Sequence, residues 1–161
     1  ASTAEEVVAL WDSIKKEEKG HASHTQSLRD VPPHLPALMR GYKVQHKASK
    51  AGFDWDHIDG AWDKVREEMA ELEAAAAAGD KAHMEEELGD LLFAVVNVSR
   101  FMDIQPELAL TGTIEKFIRR FAAVETLAEQ DGNRLENMSL AEMDTLWDRV
   151  KEKERTNHEN G

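Results

Sequence analysis

The sequence predicts an all-α protein, and three observations carry that expectation. Apolar residues recur at steps of three and four along most of the chain, two Ser/Thr-x-x-Glu patterns mark helix starts, and no stretch shows convincing strand alternation. The 161 residues are 41% apolar, enough to furnish the core of one ordinary domain.

Thr3 with Glu6 forms the first capping box. Val7, Leu10, Trp11 and Ile14 follow at helical spacing until Gly20 offers a stop. From His21 to Pro36 the chain holds three of its four prolines and no sustained period, so it reads as a loop or linker. A second helix is expected over 37–51, closed by Gly52. A third fits 60–78 and a fourth 81–103; between them Gly79 supplies a C-terminal stop and Asp80 an N-cap. These two helices form a hairpin. Pro106 opens a further helix, with a bend expected near Gly112, that continues through Phe117 and Phe121 to Gln130. Ser139 and Glu142 are the second capping box and start a last helix through Trp147 and Val150.

The two ends of the chain resemble each other: Leu10 to Lys19 reads LWDSIKKEEK and Leu146 to Arg155 reads LWDRVKEKER, identical at five of ten positions. Two ordinary Lys- and Glu-rich amphipathic helices would account for this. The alternative is an internal repeat, in which residues 1–20 end a preceding copy, 21–36 link, 37–155 form one complete domain and 156–161 a tail. The absence of an initial methionine before Ala1 fits a processed protein or a fragment of a longer one, and the repeat favours the fragment.

Charge narrows the function. With 32 acidic and 20 basic side chains the formal charge is -12, which repels a phosphate backbone and argues against nucleic acid as a partner. The lack of cysteine removes thiolate nucleophiles and soft-metal sites. No apolar run approaches the roughly 20 residues that span a bilayer, and the N-terminus lacks a basic region followed by an apolar one. The expectation is a soluble, cytoplasmic protein with no membrane partner.

The hairpin carries the informative pattern. Glu68 and Glu71 share one face of the third helix, and Glu87 and Asp90 share one face of the fourth. Glu68 and Asp90 each lie eleven positions from Gly79, and Glu71 and Glu87 each lie eight, so in an antiparallel hairpin the four carboxylates converge. Converging anions raise one another's pKa unless a cation neutralises them. The all-oxygen donor set suits Mg2+ or Mn2+, and Mg2+ takes remaining ligands from water and substrate phosphates. Acidic residues on a helix are often only a solvated face, which suffices for Glu73, Glu85 and Glu86. Asp90 is harder to explain in that way. It sits in LGDLLFAVVNVSRF, apolar on nearly every side, and a helix of that kind is expected to be buried. A buried aspartate needs a cation or hydrogen-bond partners. A di-iron carboxylate bundle would require Glu-x-x-His motifs, which neither helix has. His83, four residues before Glu87, reads as an exposed residue near a helix start rather than a ligand.

Lys116 and Arg120, four apart, offer cations for outer phosphates or else balance Glu115 and Glu125 on a wet surface. Trp147 and Lys151 offer a stacking ring and a phosphate contact, unless the tryptophan is simply core. The stripe Arg40, Lys43, Lys47 and Lys50 reads as a solvated face.

Taken in order, PALMRGYKVQHKASKAGFDW (36–55), EEMAEL, EEELGDLLFAVVN and EKFIRRF resemble successive blocks of the C-terminal-type domain of the MazG family of nucleoside triphosphate pyrophosphohydrolases, in the all-helical NTP pyrophosphatase superfamily. The similarity covers about residues 27–155, and relatives often carry two copies of the domain. The resemblance implies a helical hairpin building a four-helix-bundle-like core, completed by a homodimer. It also implies Mg2+-dependent hydrolysis of nucleoside triphosphates to monophosphate and pyrophosphate. Glu68, Glu71, Glu87 and Asp90 would ligate metal, with Glu67 a neighbouring helper. Lys64, Asn97, Lys116, Arg120, Trp147 and Lys151 would contact the nucleotide. One departure bears on substrate: the usual Ala-Asn-Glu-Lys-Phe is here Thr113 to Phe117, with Ile114 in place of the amide. The rival is a metal-free helical binding or regulatory module, whose acidic groove recruits a basic partner.

Overall fold

The structure, a computed structural model, describes residues 3–18, at 16–18 in backbone only, and residues 23–161. Among them are seven α-helices, one 3-10 turn and no strand, which is the all-α class expected. The helices are α1 (Ala4–Glu18), α2 (His24–Arg29), α3 (Ala37–Lys50), α4 (Ile58–Ala78), α5 (Lys81–Phe101), α6 (Pro106–Gln130) and α7 (Leu140–Glu159). Among the described residues no helix is long and apolar enough to cross a membrane.

Helix α1 begins at the expected capping box: Thr3 donates its backbone N–H to Glu6 at 2.8 Å, and Glu6 returns one to the Thr3 hydroxyl at 3.2 Å. Its stripe of Val7, Leu10, Trp11 and Ile14 is exposed. The stop expected at Gly20 lies outside the described residues. The expectation of an unstructured loop is corrected in part, because Ser23 caps the short helix α2 by accepting the Gln26 N–H at 3.1 Å. Six residues are too few to show a period, which is why the pattern hid it. Lys47 of α3 donates to the Ser27 carbonyl at 3.1 Å, and Val31 is buried. This stretch therefore packs on α3.

The chain falls into two compact units, 1–107 and Leu108–Gly161. In the first, α4 and α5 form the antiparallel hairpin. Gly79 adopts φ 74, a left-handed conformation favourable to glycine, and ends α4; the Asp80 side chain then caps α5 by accepting the His83 N–H at 3.2 Å. Small residues let the arms approach closely: Ala61, Ala75 and Ala94 are buried. Helix α3 packs on α5, held by the Gln45 Nε2 donating to the Phe93 carbonyl at 2.8 Å. After α3 the Gly52 N–H bonds to the Ser49 carbonyl and the Phe53 N–H to the Ala48 carbonyl, a Schellman turn that aims the Phe53-Asp54-Trp55 segment back toward α4 and α5.

In the second unit, α6 runs without interruption through Gly112. It packs Val124 and Ala128 against Leu146 and Val150 of α7, with Leu127, Leu135, Met138 and Trp147 around them. The Ser139–Glu142 capping box is present as expected.

Candidate metal centre and adjoining cleft

The hairpin register brings three of the four expected carboxylates together. One oxygen from each of Glu68, Glu71 and Glu87 lies within 4.8 Å of the others. Glu68 and Glu87 are buried, whereas Glu71 is exposed at the rim. Glu68 Oε2 and Glu87 Oε2 are both fully buried and have no hydrogen-bond partner. A buried carboxylate oxygen left unpaired is costly, and two beside a third carboxylate suit a hard divalent cation. The donor set therefore fits a metal of the Mg2+ or Mn2+ kind.

The electrostatics agree. Glu71 is pushed up to about 7, first by its hydrogen bond with Glu87 and then by the charge of Glu68. Burial works against the charge on Glu68, but Lys64, 3.1 Å away, and the adjoining Glu87 and Glu71 carboxyl groups together hold it below the ordinary carboxylate value. Lys64 Nζ lies 3.1 Å from Glu68 and 3.3 Å from Glu67, and those two partners raise the lysine's own value. Glu67 thus stands next to the cluster without joining it. Glu73, Glu85 and Glu86 are exposed, as a solvated face should be.

Asp90 requires a correction. It is exposed rather than buried and lies outside the group of three. The apolar run around it does not enclose the helix, since Leu88, Leu92, Phe93 and Val95 are also exposed within one chain. Asp90 does line the same cleft as Glu68 and Lys64. His83, which sequence spacing left aside, sets its Nε2 3.0 Å from Glu87 Oε1 and so touches the edge of the cluster.

The cleft beside this carboxylate cluster measures about 780 Å³ and lies wholly within the first unit. That volume is in the range that encloses a small organic ligand. Its walls mix Phe53, Trp55 and Phe93 with Lys64, Asp90, Asn97 and Arg100. Trp55 lies directly over Gly60, where a Cβ would come within 2.7 Å of the ring. Asn97 is not free: its Oδ1 accepts from Arg100 Nε at 3.0 Å and Nη2 at 2.8 Å, and Arg100 also pairs with Asp54. Asp54, Arg100 and Gln45 are cleft residues that sequence reasoning missed. The AGFDW turn was the available signal, but the partners it meets lie more than 40 residues away.

In the second unit Arg120 reaches Glu154, at 3.0 Å from Nε and 2.9 Å from Nη2, and lies 6.0 Å from the Trp147 ring. Phe117 packs on Trp147 with centroids 5.5 Å apart. Trp147 is therefore both core-flanking and partly accessible, while Lys116 and Lys151 are exposed. The Arg120 pairing holds Glu154 below the usual carboxylate value.

Residues 61–124, which span the hairpin and its carboxylates, match the MazG nucleotide pyrophosphohydrolase domain. The chain carries a MazG domain. Its likeness to known proteins extends beyond the matched segment. It is 42% identical over 156 residues to the nucleoside triphosphate pyrophosphohydrolase of Escherichia coli K12, covering 96% of this chain and 59% of that protein. It is 40% identical over 141 residues to the nucleoside triphosphate pyrophosphohydrolase/pyrophosphatase MazG of Thermotoga maritima, covering 88% of this chain and 54% of that one. The uncharacterized protein YabN of Bacillus subtilis is 47% identical over 151 residues, covering 93% of this chain and 31% of its own length. The chain thus spans between about a third and three fifths of the curated relatives it matches. Every carboxylate of the candidate centre falls inside the MazG segment, as do Lys64, Asn97, Lys116 and Arg120, whereas Trp147 and Lys151 lie beyond it.

Proposed function

We propose that this MazG domain hydrolyses nucleoside triphosphates between the α and β phosphates, giving nucleoside monophosphate and pyrophosphate, in a reaction dependent on Mg2+ for which Mn2+ can substitute. The observation that carries the reading is the pair of buried, unpartnered oxygens on Glu68 and Glu87, grouped with Glu71 at the edge of a nucleotide-sized cleft. Glu68, Glu71 and Glu87 would hold the metal. The resemblance adds Asp90 as a fourth ligand, and its place on the cleft wall near Glu68 is compatible with that role. When bound, the ion supplies Lewis acidity, lowering the pKa of water and offsetting negative charge on phosphoryl oxygens.

The chain's own groups do the rest. Glu67, exposed and paired with Lys64, accepts the proton of the attacking water. Lys64 steadies Glu67 and Glu68 as charges rearrange. The water oxygen bonds to the α-phosphorus while the bond to the pyrophosphate oxygen breaks. Lys116 and Arg120 are assigned by resemblance to the leaving pyrophosphate, where charge-assisted hydrogen bonds are strongest. Trp147, Lys151 and Asn97 are assigned to the nucleotide. The exposed Leu88, Leu92, Phe93 and Val95 support a homodimer in which a second copy covers α5. The likeness of α1 to α7 supports residues 1–20 as the end of a preceding copy, with 37–155 the complete domain.

Incubating the protein with each nucleoside triphosphate, with and without Mg2+, and resolving products by anion exchange tests the reaction. Monophosphate plus pyrophosphate is expected; diphosphate plus phosphate would exclude the proposed bond cleavage. A Glu68→Gln protein with full activity would refute the metal assignment. No turnover, together with no effect of Mg2+ on thermal stability, would favour the metal-free binding module.

A further inference from the structure

Gln45 stands apart from the other cleft residues. It is a buried amide on α3, 7% exposed, and it lines the cleft. Its Nε2 donates to the Phe93 carbonyl of α5 at 2.8 Å. A carbonyl can only accept, so this bond fixes which end of the amide faces α5. Oε1 is left over, fully buried and without a hydrogen-bond partner. Buried polar atoms of this kind are uncommon because the lost hydration is not replaced.

The surroundings narrow what would satisfy it. Gln45 lines the same cleft as Phe53, Trp55 and Phe93, and aromatic side chains are the kind on which a flat partner stacks. Arg100 directs its donors to Asp54 and Asn97. The hydrogen-bonding capacity still open on Gln45 is therefore an acceptor, set among aromatic walls in a cleft that also contains Glu68 of the metal centre. We propose that Gln45 is a specificity-determining residue, whose Oε1 accepts a hydrogen bond from the exocyclic amino group of the nucleobase held between these aromatic walls. The proposal deepens, and rests on, the reading of this cleft as the nucleotide's.

A site built around a polar contact discriminates strongly against a ligand that lacks it, because the buried group is then left unpaired. Adenine differs from hypoxanthine, and cytosine from uracil, in carrying an amino group where the other carries a carbonyl. The direct test is calorimetric binding, with Mg2+, of the α,β-methylene analogues of ATP, ITP, CTP and UTP. For the ring size that the cleft accepts, the amino-bearing member is expected to bind at least ~10-fold more tightly. In Gln45→Met, which keeps the volume and loses the acceptor, that ratio should fall toward one. Gln45→Asn, which withdraws the amide by one methylene, should reduce it too and serves if the methionine variant does not fold. Equal binding within both pairs by the wild-type protein overturns the proposal, as does a ratio unchanged in a folded Gln45→Met. A loss that instead follows removal of a sugar hydroxyl, tested with deoxy analogues, also overturns it. Selective binding of the analogues without hydrolysis of the natural triphosphates would overturn the proposed reaction and leave the role of Gln45 standing.

Discussion

Glu71 on α4 and Glu87 on α5, each eight residues from Gly79, meet across the hairpin with carboxylate oxygens within 4.8 Å, and the contact pushes Glu71 up to about 7. The metal-free fold therefore retains a proton on Glu71 over a range where the unfolded chain, titrating near 4.5, has released it. The stabilisation from that proton is complete below about 4.5 and is lost as pH rises through about 7. Thermal melts of metal-free protein should show the midpoint falling between pH 5 and pH 8, and added Mg2+ should restore it most at the upper end. Because the cation must displace the proton, calorimetry at pH 6.5 in buffers of different ionisation enthalpy should detect proton release, and affinity should rise toward pH 8. Binding that is independent of pH across this interval would contradict the coupling.

Replacing Glu71 by Gln separates repulsion from ligation. The variant removes one charge from a crowded set, so the metal-free protein should be as stable as wild type or more so at pH 8. The same change withdraws a ligand, so Mg2+ should no longer raise the melting temperature and hydrolysis should fall by at least ~100-fold. Melting curves with and without Mg2+ check both halves. A destabilised metal-free variant would contradict the proposal that repulsion among these carboxylates is relieved by a bound cation.

Two glycines in the same unit should respond differently to alanine. At Gly79 there is open space around the missing Cβ, but φ is +74, so Gly79→Ala should cost about 1 kcal/mol through backbone strain alone. At Gly60 the conformation is helical and favours alanine, yet the new Cβ would lie 2.7 Å from Trp55 Cε3. Trp55 is half exposed and can move, so Gly60→Ala should keep its stability and displace the ring from the cleft wall. Urea denaturation is expected to register the first change, and tryptophan fluorescence with weakened nucleotide binding the second. Unaltered fluorescence and binding in Gly60→Ala would show that Trp55 does not shape the cleft.

How far the sequence disclosed these features depended on the distance between the residues that define them. The hairpin was legible because Gly79, Asp80 and the flanking helical periods are local signals, and once its centre is known the meeting of Glu68, Glu71 and Glu87 is a matter of register. Asp90 was misplaced because an apolar run says that a helix will be covered, but not which of its sides one chain covers. Helix α2 was too short to display a period. Gln45 and Arg100 gave no signal at all: an amide on α3 becomes notable only when its partner proves to be the Phe93 carbonyl 48 residues on, and an arginine only when Asp54 closes on it from 46 residues away. Local chemistry thus exposed the carboxylate cluster of the candidate metal centre, while the adjoining cleft emerged only from tertiary contact.

The Arg120–Glu154 pair gives an independent test in the second unit. The guanidinium holds Glu154 below its ordinary value near 4.5, so the pair's contribution to stability is present above that value and is lost as pH falls through the lower, folded one. Glu154→Gln removes the titrating group and leaves Arg120 beside Trp147. Melting temperatures of the two proteins should therefore differ at pH 6 and draw together as pH falls below 4.5. If Arg120 serves the leaving phosphates as proposed, Glu154 competes with them for the same guanidinium, and Glu154→Gln should lower KM for the triphosphate. Parallel melting profiles would show that the pair contributes nothing pH-dependent to stability, and an unchanged KM alongside converging profiles would confine Arg120 to a structural part.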